Sequence, residues 1–179
     1  MQMSVEIFND YTILKVDSNR YRTGIKRFWA AIIDAIVFSP LFFLHNWFFD
    51  LNKSEGLIIF WAIFVTLIST FYSVFLHYKY GQTIGKWAVG IKVVDISETR
   101  NISFKQSLFR DGVYILIELA AVIYFVLKSE SFSNKFESYT DFSGNAQLVW
   151  LLLELITMLT NKKRRALHDY LANSVVIRI

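Results

Sequence analysis

Long apolar runs limit the folds open to this chain more than any other feature of its sequence. Phe28–Phe49 is largely apolar, and Leu57–Leu76 is a run of twenty residues without a charge. Either run is long enough to cross a bilayer as a helix. Two shorter runs, Gly112–Leu127 and Ala146–Thr160, each contain one glutamate and need flanking residues to reach across. We therefore predict an all-α membrane protein, a bundle of four transmembrane helices.

The composition supports this class and excludes several others. Hydrophobic residues make up 54% of the chain and charged residues only 19%, whereas soluble domains are about one quarter charged. Because the chain has no cysteine, a disulfide scaffold, a thiolate metal site and a cysteine nucleophile are excluded. A length of 179 residues suits one domain, which we divide into an N-terminal segment, residues 1–24, and a transmembrane domain, residues 25–179.

The placement of charge predicts the orientation of the bundle. Of the 19 lysines and arginines, 16 lie before the first run, between the second and third, or after the fourth. The other two loops contain only three lysines, together with five acidic residues. By the positive-inside rule both termini are cytoplasmic. The basic pI of about 9.2 therefore reflects topology, and we expect no nucleic acid as a partner.

Short strand patterns occur in the N-terminal segment and in two later segments. Val5–Phe8 and Thr12–Val16 flank an Asn-Asp turn, and the first 24 residues lack the apolar core of a signal peptide, so we expect them to remain in the mature protein. Gly90–Asp95 and Asn173–Ile179 are rich in β-branched residues. All four segments would lie on the cytoplasmic side, where we expect a minor β-sheet under the bundle.

Acidic residues inside the expected spans are the most specific functional signal. Asp34, Glu118 and Glu154 each lie roughly 10–12 Å from the cytoplasmic border, counted at about 1.5 Å per helical residue. Thr70 lies at a similar depth in a polar stripe of the second span, which consists of Thr66, Thr70, Ser73 and His77. Charges inside a bilayer are costly and usually face a partner or a water-filled cavity. We therefore predict one polar layer shared by four helices.

Such a layer suits the handling of protons or cations. Carboxylates clustered at low dielectric take up and release protons near neutral pH, and their oxygens are ligands for hard cations. Pro40 removes the helical hydrogen bond to the carbonyl of Ile36, which would free that oxygen near Asp34. We predict a site for a small cation, a proton or a small ligand, formed by Asp34, Glu118, Glu154, Thr70 and Arg27.

A structural alternative uses the same residues. Arg27 lies seven residues before Asp34, and Arg110 lies eight before Glu118, so each arginine shares a helix face with the acid that follows it. Long arginine side chains reach inward and would lock the helices together as ion pairs. Under this alternative the chain is a non-catalytic membrane subunit or an assembly factor.

Motifs typical of enzymes do not occur in the sequence. Gly81–Lys86, GQTIGK, resembles a phosphate-binding loop, but it has three residues between its glycines where four are needed, and Trp87 replaces Ser or Thr. The three histidines lie on different segments, which gives a zinc site little support. We therefore predict no enzymatic activity, cofactor or metal. The spacing of Ile84, Trp87 and Ile91 fits either a short amphipathic segment at the inner membrane surface or a packed loop.

Three blocks, in this order, resemble the RDD family of bacterial membrane proteins. They are Arg27 opening the first helix with Asp34 in its middle, GQTIGKWAVGIKVVD at Gly81–Asp95, and NKKRRALHDYLANSVVI at Asn161–Ile177. The resemblance extends over Tyr21–Ile179. It implies a small multi-pass protein of the cell (inner) membrane, from a family for which ligand transport and cation/proton antiport are proposed.

The resemblance also implies which residues form the family motif. The family is named for one arginine and two aspartates: Arg27 and Asp34 match the first two, and Asp169 is the third, with Asp95 as the alternative. The matching blocks also contain Gly81, Gly85, Lys86 and His168. The glutamates of the third and fourth spans depart from this pattern, so a family role need not extend to them.

The tail of the chain adds an anchor and a pair of titratable residues. We interpret the basic run Lys162–Arg165 as an anchor on anionic lipid headgroups. We expect Asp169 to cap a helix or to pair with a cytoplasmic cation such as Lys86. A proton relay through His168 and Asp169 is the alternative.

Two functions of different classes follow from these residues. The leading one is transport of a small cation coupled to protons, and the other is assembly with partner proteins in the membrane. The lipid bilayer is the expected partner in either case. Because the bundle is small for a transporter, a homo-oligomer with the pathway between its protomers is a further expectation, and a membrane partner protein is the alternative.

Overall fold

The computed structural model of the chain describes residues 19–51, 54–128 and 131–179. The predicted strands Val5–Phe8 and Thr12–Val16 lie outside these residues. In chain order the elements are α1 (Gly24–Leu51), α2 (Glu55–Tyr80), α3 (Ile84–Ala88), β1 (Ile91–Asp95), α4 (Phe104–Asp111), α5 (Val113–Leu127), α6 (Phe132–Thr160), α7 (Leu167–Leu171) and β2 (Ser174–Arg178).

All four predicted apolar runs lie in helices, namely α1, α2, α5 and α6. Among the described residues, two segments are long and apolar enough to cross a membrane, Gly56–Tyr80 and Glu137–Thr160. The apolar helix α5 has 15 residues, which is about 22 Å at the helical rise and shorter than the roughly 30 Å hydrocarbon core. The prediction of a mostly helical chain is confirmed, whereas four crossings remain a prediction.

Helix α6 begins fourteen residues before the predicted start of the fourth run. The early part of this helix is polar, so an apolar criterion recognises only its later part. Its contacts with α5 explain why it is helical: the rings of Tyr124 and Phe142 stack with centroids 5.1 Å apart, and Phe125 meets Tyr139 edge to face at 6.1 Å. Packing against a neighbouring helix therefore extends α6 beyond its apolar part.

Helix α1 continues through Pro40 without a break. Proline cannot donate to the carbonyl four residues earlier, which is the oxygen of Ile36. The hydroxyl of Ser39 donates to this oxygen instead, at 2.8 Å. The carbonyl that the sequence predicts to be free is therefore occupied by the side chain next to the proline.

Strands β1 and β2 form an antiparallel pair in which Ile91 lies opposite Arg178 and Asp95 opposite Ser174. The predicted strands Gly90–Asp95 and Asn173–Ile179 are thus confirmed to within one residue at their ends. One face of the pair packs on α1 through a buried cluster of Ala30, Ile91, Val93, Ile102 and Val176. The pair is therefore fastened to the start of the first long helix.

The cap, which comprises residues 82–111 and 161–179, covers one end of the long helices. It contacts the first turn of α1 through Arg27, the last turn of α2 through His77 and the C-terminal part of α6 through Glu154. Helix α5 leaves the cap directly after α4. The charged residues of the motif blocks are consequently gathered at this end.

Helix α3 crosses α1 at very short distance, and Gly85 makes this possible. A Cβ atom on Gly85 would lie 2.1 Å from the carbonyl oxygen of Ala30 and 2.9 Å from its carbonyl carbon. Of the two sequence-based alternatives for this segment, the structure has a helix, and its Trp87 side chain is 72% exposed. Backbone contact between α1 and α3 therefore requires a residue without a side chain at position 85.

We expect Gly85→Ala to destabilise the protein by at least about 3 kcal/mol, the upper end of the usual cost of overpacking. The added methyl group would meet backbone atoms, which cannot rotate away. Thermal unfolding of the purified protein in detergent measures the change. Gly144→Ala is the matched control, because its Cβ meets nothing within 4 Å and alanine favours a helix. Equal stability of the two variants would contradict this close contact.

Candidate functional site

The buried carboxylate of Asp169 lies at the centre of the cap and has no exposed surface. Arg27 Nη1 donates to its Oδ2 at 2.8 Å, and Arg110 Nη1 forms an ion pair with its Oδ1. The backbone N–H of Ala166 donates to Oδ2 at 2.9 Å, and the hydroxyl of Ser174 lies 3.3 Å from Oδ1. One carboxylate therefore joins α1, α4, α7 and β2.

Local structure places each of these groups. Asp169 lies in the first turn of α7, where an acidic side chain is favoured because it accepts from free N–H groups. Arg110 lies in the last turn of α4, and α4 is held against α2 by the hydroxyl of Ser107, which donates to the carbonyl of Val74 at 2.8 Å. Arg27, in the first turn of α1, also donates to the carbonyl of Arg164 at 3.1 Å. Three helix ends thus converge on one anion.

Two opposing effects act on Asp169. Burial by itself raises the pKa of this carboxyl, but the guanidinium groups of Arg110 and Arg27 hold its pKa well below the usual range. Asp169 is therefore ionised at neutral pH and acts as a fixed counter-ion for the two arginines.

The neighbouring His168 links this ion cluster to α6. Its Nδ1 contacts Glu154 Oε1, and its Nε2 lies 2.8 Å from Arg110 Nη2. A guanidinium can only donate, so Nε2 is the accepting nitrogen, and Nδ1 carries the proton that is donated to Glu154. The charged network, defined as Arg27, Arg110, Glu154, His168 and Asp169, therefore runs without interruption from α6 to α1.

Asp34 has a different set of partners, on α2 and α3. It accepts hydrogen bonds from the Tyr72 hydroxyl at 2.8 Å, the Thr83 hydroxyl at 2.7 Å and the backbone N–H of Gly85 at 2.8 Å. The Tyr72 oxygen in turn accepts from the N–H of Ile84 at 3.0 Å. Asp34 therefore fastens the N-terminus of α3 to two long helices.

Glu118 lies elsewhere again, in the middle of α5. Its carboxylate is buried and accepts from the hydroxyl of Tyr139 on α6. The acids that the sequence predicts to share one layer, Asp34, Glu118 and Glu154, thus have separate partners. Thr70 is buried in the wall of an apolar groove between α2, α4 and α5. Whether any of these residues handles an ion stays a prediction.

The expected pairing of arginines with acids on their own helices is wrong. Arg27 and Arg110 both pair with Asp169 rather than with Asp34 and Glu118. Spacing along a helix shows only which residues share a face of that helix. It does not show that a residue of another segment, here Asp169, is the partner of both arginines. For Asp169 the sequence predicts a helix cap or a pair with a cytoplasmic cation such as Lys86. It caps α7, as predicted, and its cationic partners are Arg27 and Arg110.

Asp95, the alternative third residue of the motif, fastens β1 to α4. Its carboxylate accepts from the N–H of Ser97 at 3.0 Å and from Gln106 Nε2 at 2.7 Å. These two hydrogen bonds lower the pKa of Asp95 to about 2. Because Asp169, and not Asp95, is in contact with Arg27, Asp169 fits the third position of the motif better than Asp95 does.

Sequence reasoning missed a second buried pair, His77 and Asp111. His77 Nδ1 lies 2.7 Å from Asp111 Oδ2, and His77 Nε2 is buried without a hydrogen-bond partner. Burial raises the pKa of Asp111, but the interaction with His77 and the charge of Arg110 together hold it below its usual range. The polar stripe of α2 pointed to His77, whereas Asp111 looked like an ordinary border residue.

Lys86 lies half-buried among charged groups of both signs. Burial and the positive charge of Arg110 lower its pKa to about 8, and the carboxylates of Asp111 and Asp34 only partly oppose this. Among the described residues, no group of three histidines or carboxylates is placed to hold a metal ion.

Comparison with known proteins gives one family and one close relative. The model of the RDD family matches residues 21–173. A protein of Bacillus subtilis (strain 168) named "Uncharacterized membrane protein YteJ" is 32% identical over 111 residues, which cover 56% of this chain and 65% of that protein. The chain therefore spans slightly less than two thirds of the length of this relative. No solved structure matches.

We expect Asp169→Asn to destabilise the protein by about 3–5 kcal/mol, because removing one member of a buried ion cluster leaves two arginines without a counter-charge. Denaturant or thermal unfolding in detergent measures the effect. Asp141→Asn, at an exposed position of α6, is the control and should change stability little. If both variants unfold at the same temperature or denaturant concentration, Asp169 does not hold the cap.

The lowered pKa of Lys86 predicts that the free energy of unfolding depends on pH above neutrality. Its pKa of about 8 in the folded protein lies below the ordinary lysine pKa of 10.5, so between these pH values the unfolded chain binds more protons and stability rises with pH. The free energy of unfolding of the wild type, relative to that of Lys86→Met, should therefore increase from pH 8 to 10.5. Lys162→Met, at an exposed position, should show no such trend. A flat difference for Lys86→Met would contradict its lowered pKa.

Proposed function

We propose, on the premise that this chain belongs to the RDD family of membrane proteins, that it is a non-catalytic membrane subunit that assembles with other proteins. The observation that carries this proposal is the charged network. Its two arginines point into the cap, and both pair there with Asp169. Ion pairs of this kind hold helices together, so neither arginine is free to bind a substrate.

We further propose that α1, α2, α5 and α6 each cross the cell membrane, with the cap and both termini in the cytoplasm. The high density of lysine and arginine in the cap segments supports this orientation. Gly112, whose N–H donates to Leu108 at 2.8 Å, connects α4 to α5 with helical torsion angles. Helix α5 would then leave the cap at the membrane border, where the last turn of α4 would offset part of the shortness of α5.

The exposure of α6 supports assembly with a partner. Only 11% of its most apolar stretch is buried within this chain, compared with 22% for α2. Leu151, Ile156 and Leu159 are all more than half exposed. This face is available to lipid and equally to a transmembrane helix of another subunit.

Proton-coupled cation transport is the second candidate, and one observation favours it. Glu154 lies within a candidate span, and His168 connects it by hydrogen bonds to Arg110 and so to Asp169. Contiguous titratable groups of this kind are typical of proton relays in membrane proteins. Under either function the protein is not an enzyme and needs no cofactor.

A flux measurement separates the two functions. The full-length protein is reconstituted in proteoliposomes with an internal pH dye, and radioactive sodium uptake is followed with and without a pH gradient. We expect neither uptake nor proton movement above the leak of protein-free vesicles. Flux that is lost in Glu154→Gln but kept in Glu137→Gln, an exposed position on the same helix, would overturn the assembly proposal and support transport.

Assembly itself is tested in the native membrane. Blue-native electrophoresis of mildly solubilised membranes should show the chain in a particle larger than its own 21.0 kDa plus detergent. Leu151→Trp on α6 should shift the chain to a smaller particle, because the larger side chain disturbs the exposed face. Ile123→Trp, equally exposed on α5, is the matched control. A monomeric wild type would contradict assembly.

A further inference from the structure

An apolar groove of about 220 Å³ lies between α2, α4 and α5. Helix α2 contributes most of its wall, α4 closes it toward the cap, and α5 contributes one residue. The groove is lined by Leu67, Thr70, Phe71, Val74, Phe75, Phe104, Leu108 and Ile115. Of these described residues none is charged, so the groove suits a hydrocarbon ligand.

The side chains of the rim argue against a packed helix as its occupant. Transmembrane helices approach each other closely where small residues line the interface. Here the rim carries Phe71, Phe104 and Leu108, all between 44% and 68% exposed, while the smaller Thr70 and Val74 are buried at the bottom. A flexible chain fits between such large side chains more easily than the cylinder of a helix.

Two basic residues lie next to the lining residues Phe75 and Phe104, toward the cap. Lys79 follows Phe75 by one turn of α2, and its Nζ is 5.6 Å from the centre of the Phe75 ring. Lys105 is the neighbour of Phe104, and its Nζ is 5.9 Å from the ring of Phe109. Both lysines are exposed. Neither forms an ion pair with a described residue.

A ring contact brings these two lysines to the same end. Tyr78, next to Lys79, meets Phe104, next to Lys105, edge to face with centroids 5.8 Å apart. The side-chain amide of Asn101 reaches the carbonyl of Lys79 at 3.5 Å. The start of α4 is thereby held against the last turn of α2. An apolar channel thus ends at a pair of unneutralised ammonium groups.

We propose that this groove binds an anionic phospholipid, with an acyl chain along α2 and the phosphate between Lys79 and Lys105. Lysines at a membrane border extend their charge toward headgroups while their stems stay on apolar surface. The negative lipids of the cytoplasmic leaflet supply the complementary charge. This inference rests on the proposed orientation with the cap in the cytoplasm, but not on assembly, because no lining residue belongs to the charged network or to α6.

Native mass spectrometry of the full-length protein in detergent tests the proposal directly. Phosphatidylglycerol and phosphatidylcholine with identical acyl chains are added at rising concentration, and glycerol 3-phosphate is the probe without a chain. We expect one tightly bound phosphatidylglycerol, weaker phosphatidylcholine and no binding of glycerol 3-phosphate. Equal binding of both lipids would overturn the role of the lysines, and binding of glycerol 3-phosphate would overturn the role of the groove.

Single charge variants test the headgroup end. Lys79→Gln and Lys105→Gln should each weaken phosphatidylglycerol binding by about five-fold, the contribution of one lysine near an anionic surface, and leave phosphatidylcholine binding unchanged. Arg22→Gln removes an exposed positive charge that belongs neither to the groove lining nor to the basic run of the tail, and it is the control. If all three variants bind phosphatidylglycerol alike, the proposal is wrong.

A groove-filling variant tests the acyl end while every charge stays in place. Leu108→Trp should abolish tight phosphatidylglycerol binding, whereas Leu119→Trp, exposed on α5 outside the groove, should not. Unfolding temperatures of both variants in detergent show that each remains folded. A dimer that forms in the wild type and is lost in Leu108→Trp would identify a second copy as the occupant and overturn the lipid.

Discussion

The ion cluster around Asp169 is the interaction on which the arrangement of the cap depends. A carboxylate without exposed surface would be very costly alone, and two guanidinium groups from different helices offset that cost. Because Arg27 lies in the first turn of α1 and Arg110 in the last turn of α4, the anion holds both helix ends next to α7. A buried ion pair need not add net stability compared with apolar residues, but it does require one geometry.

Asp34 provides the second attachment of the cap. It accepts hydrogen bonds from uncharged donors and forms no ion pair with a described residue. Its three donors come from α2, the loop before α3 and the first turn of α3. Gly85 adds a close backbone contact between this segment and α1. In this structure Arg27, Asp34 and Asp169 all join the cap to the long helices. This arrangement leads us to favour assembly over transport.

Much of the fold was predictable because it depends on local properties of the chain. Apolar length marked all four long helices, and β-branched residues marked both described strands. The motif blocks identified the family and pointed to Arg27, Asp34 and Asp169. The partners of these residues were not predictable, because Arg27 and Asp169 are 142 positions apart, and no helical spacing relates residues so distant. The tyrosines that bind Asp34 and Glu118 were missed because their rings counted as apolar.

By itself the sequence determined that this chain is a mostly helical membrane protein with its basic residues gathered in particular segments. The length of an apolar run and the position of a charge are local properties of the sequence, and both decide directly whether a segment can cross a membrane and in which direction. Only the tertiary structure decided that the three acids predicted to share one layer have three separate sets of partners. It also decided that a groove between α2 and α4 ends beside two lysines. Both outcomes depend on how helices rotate about their axes as they pack, and side chains from distant segments set that rotation.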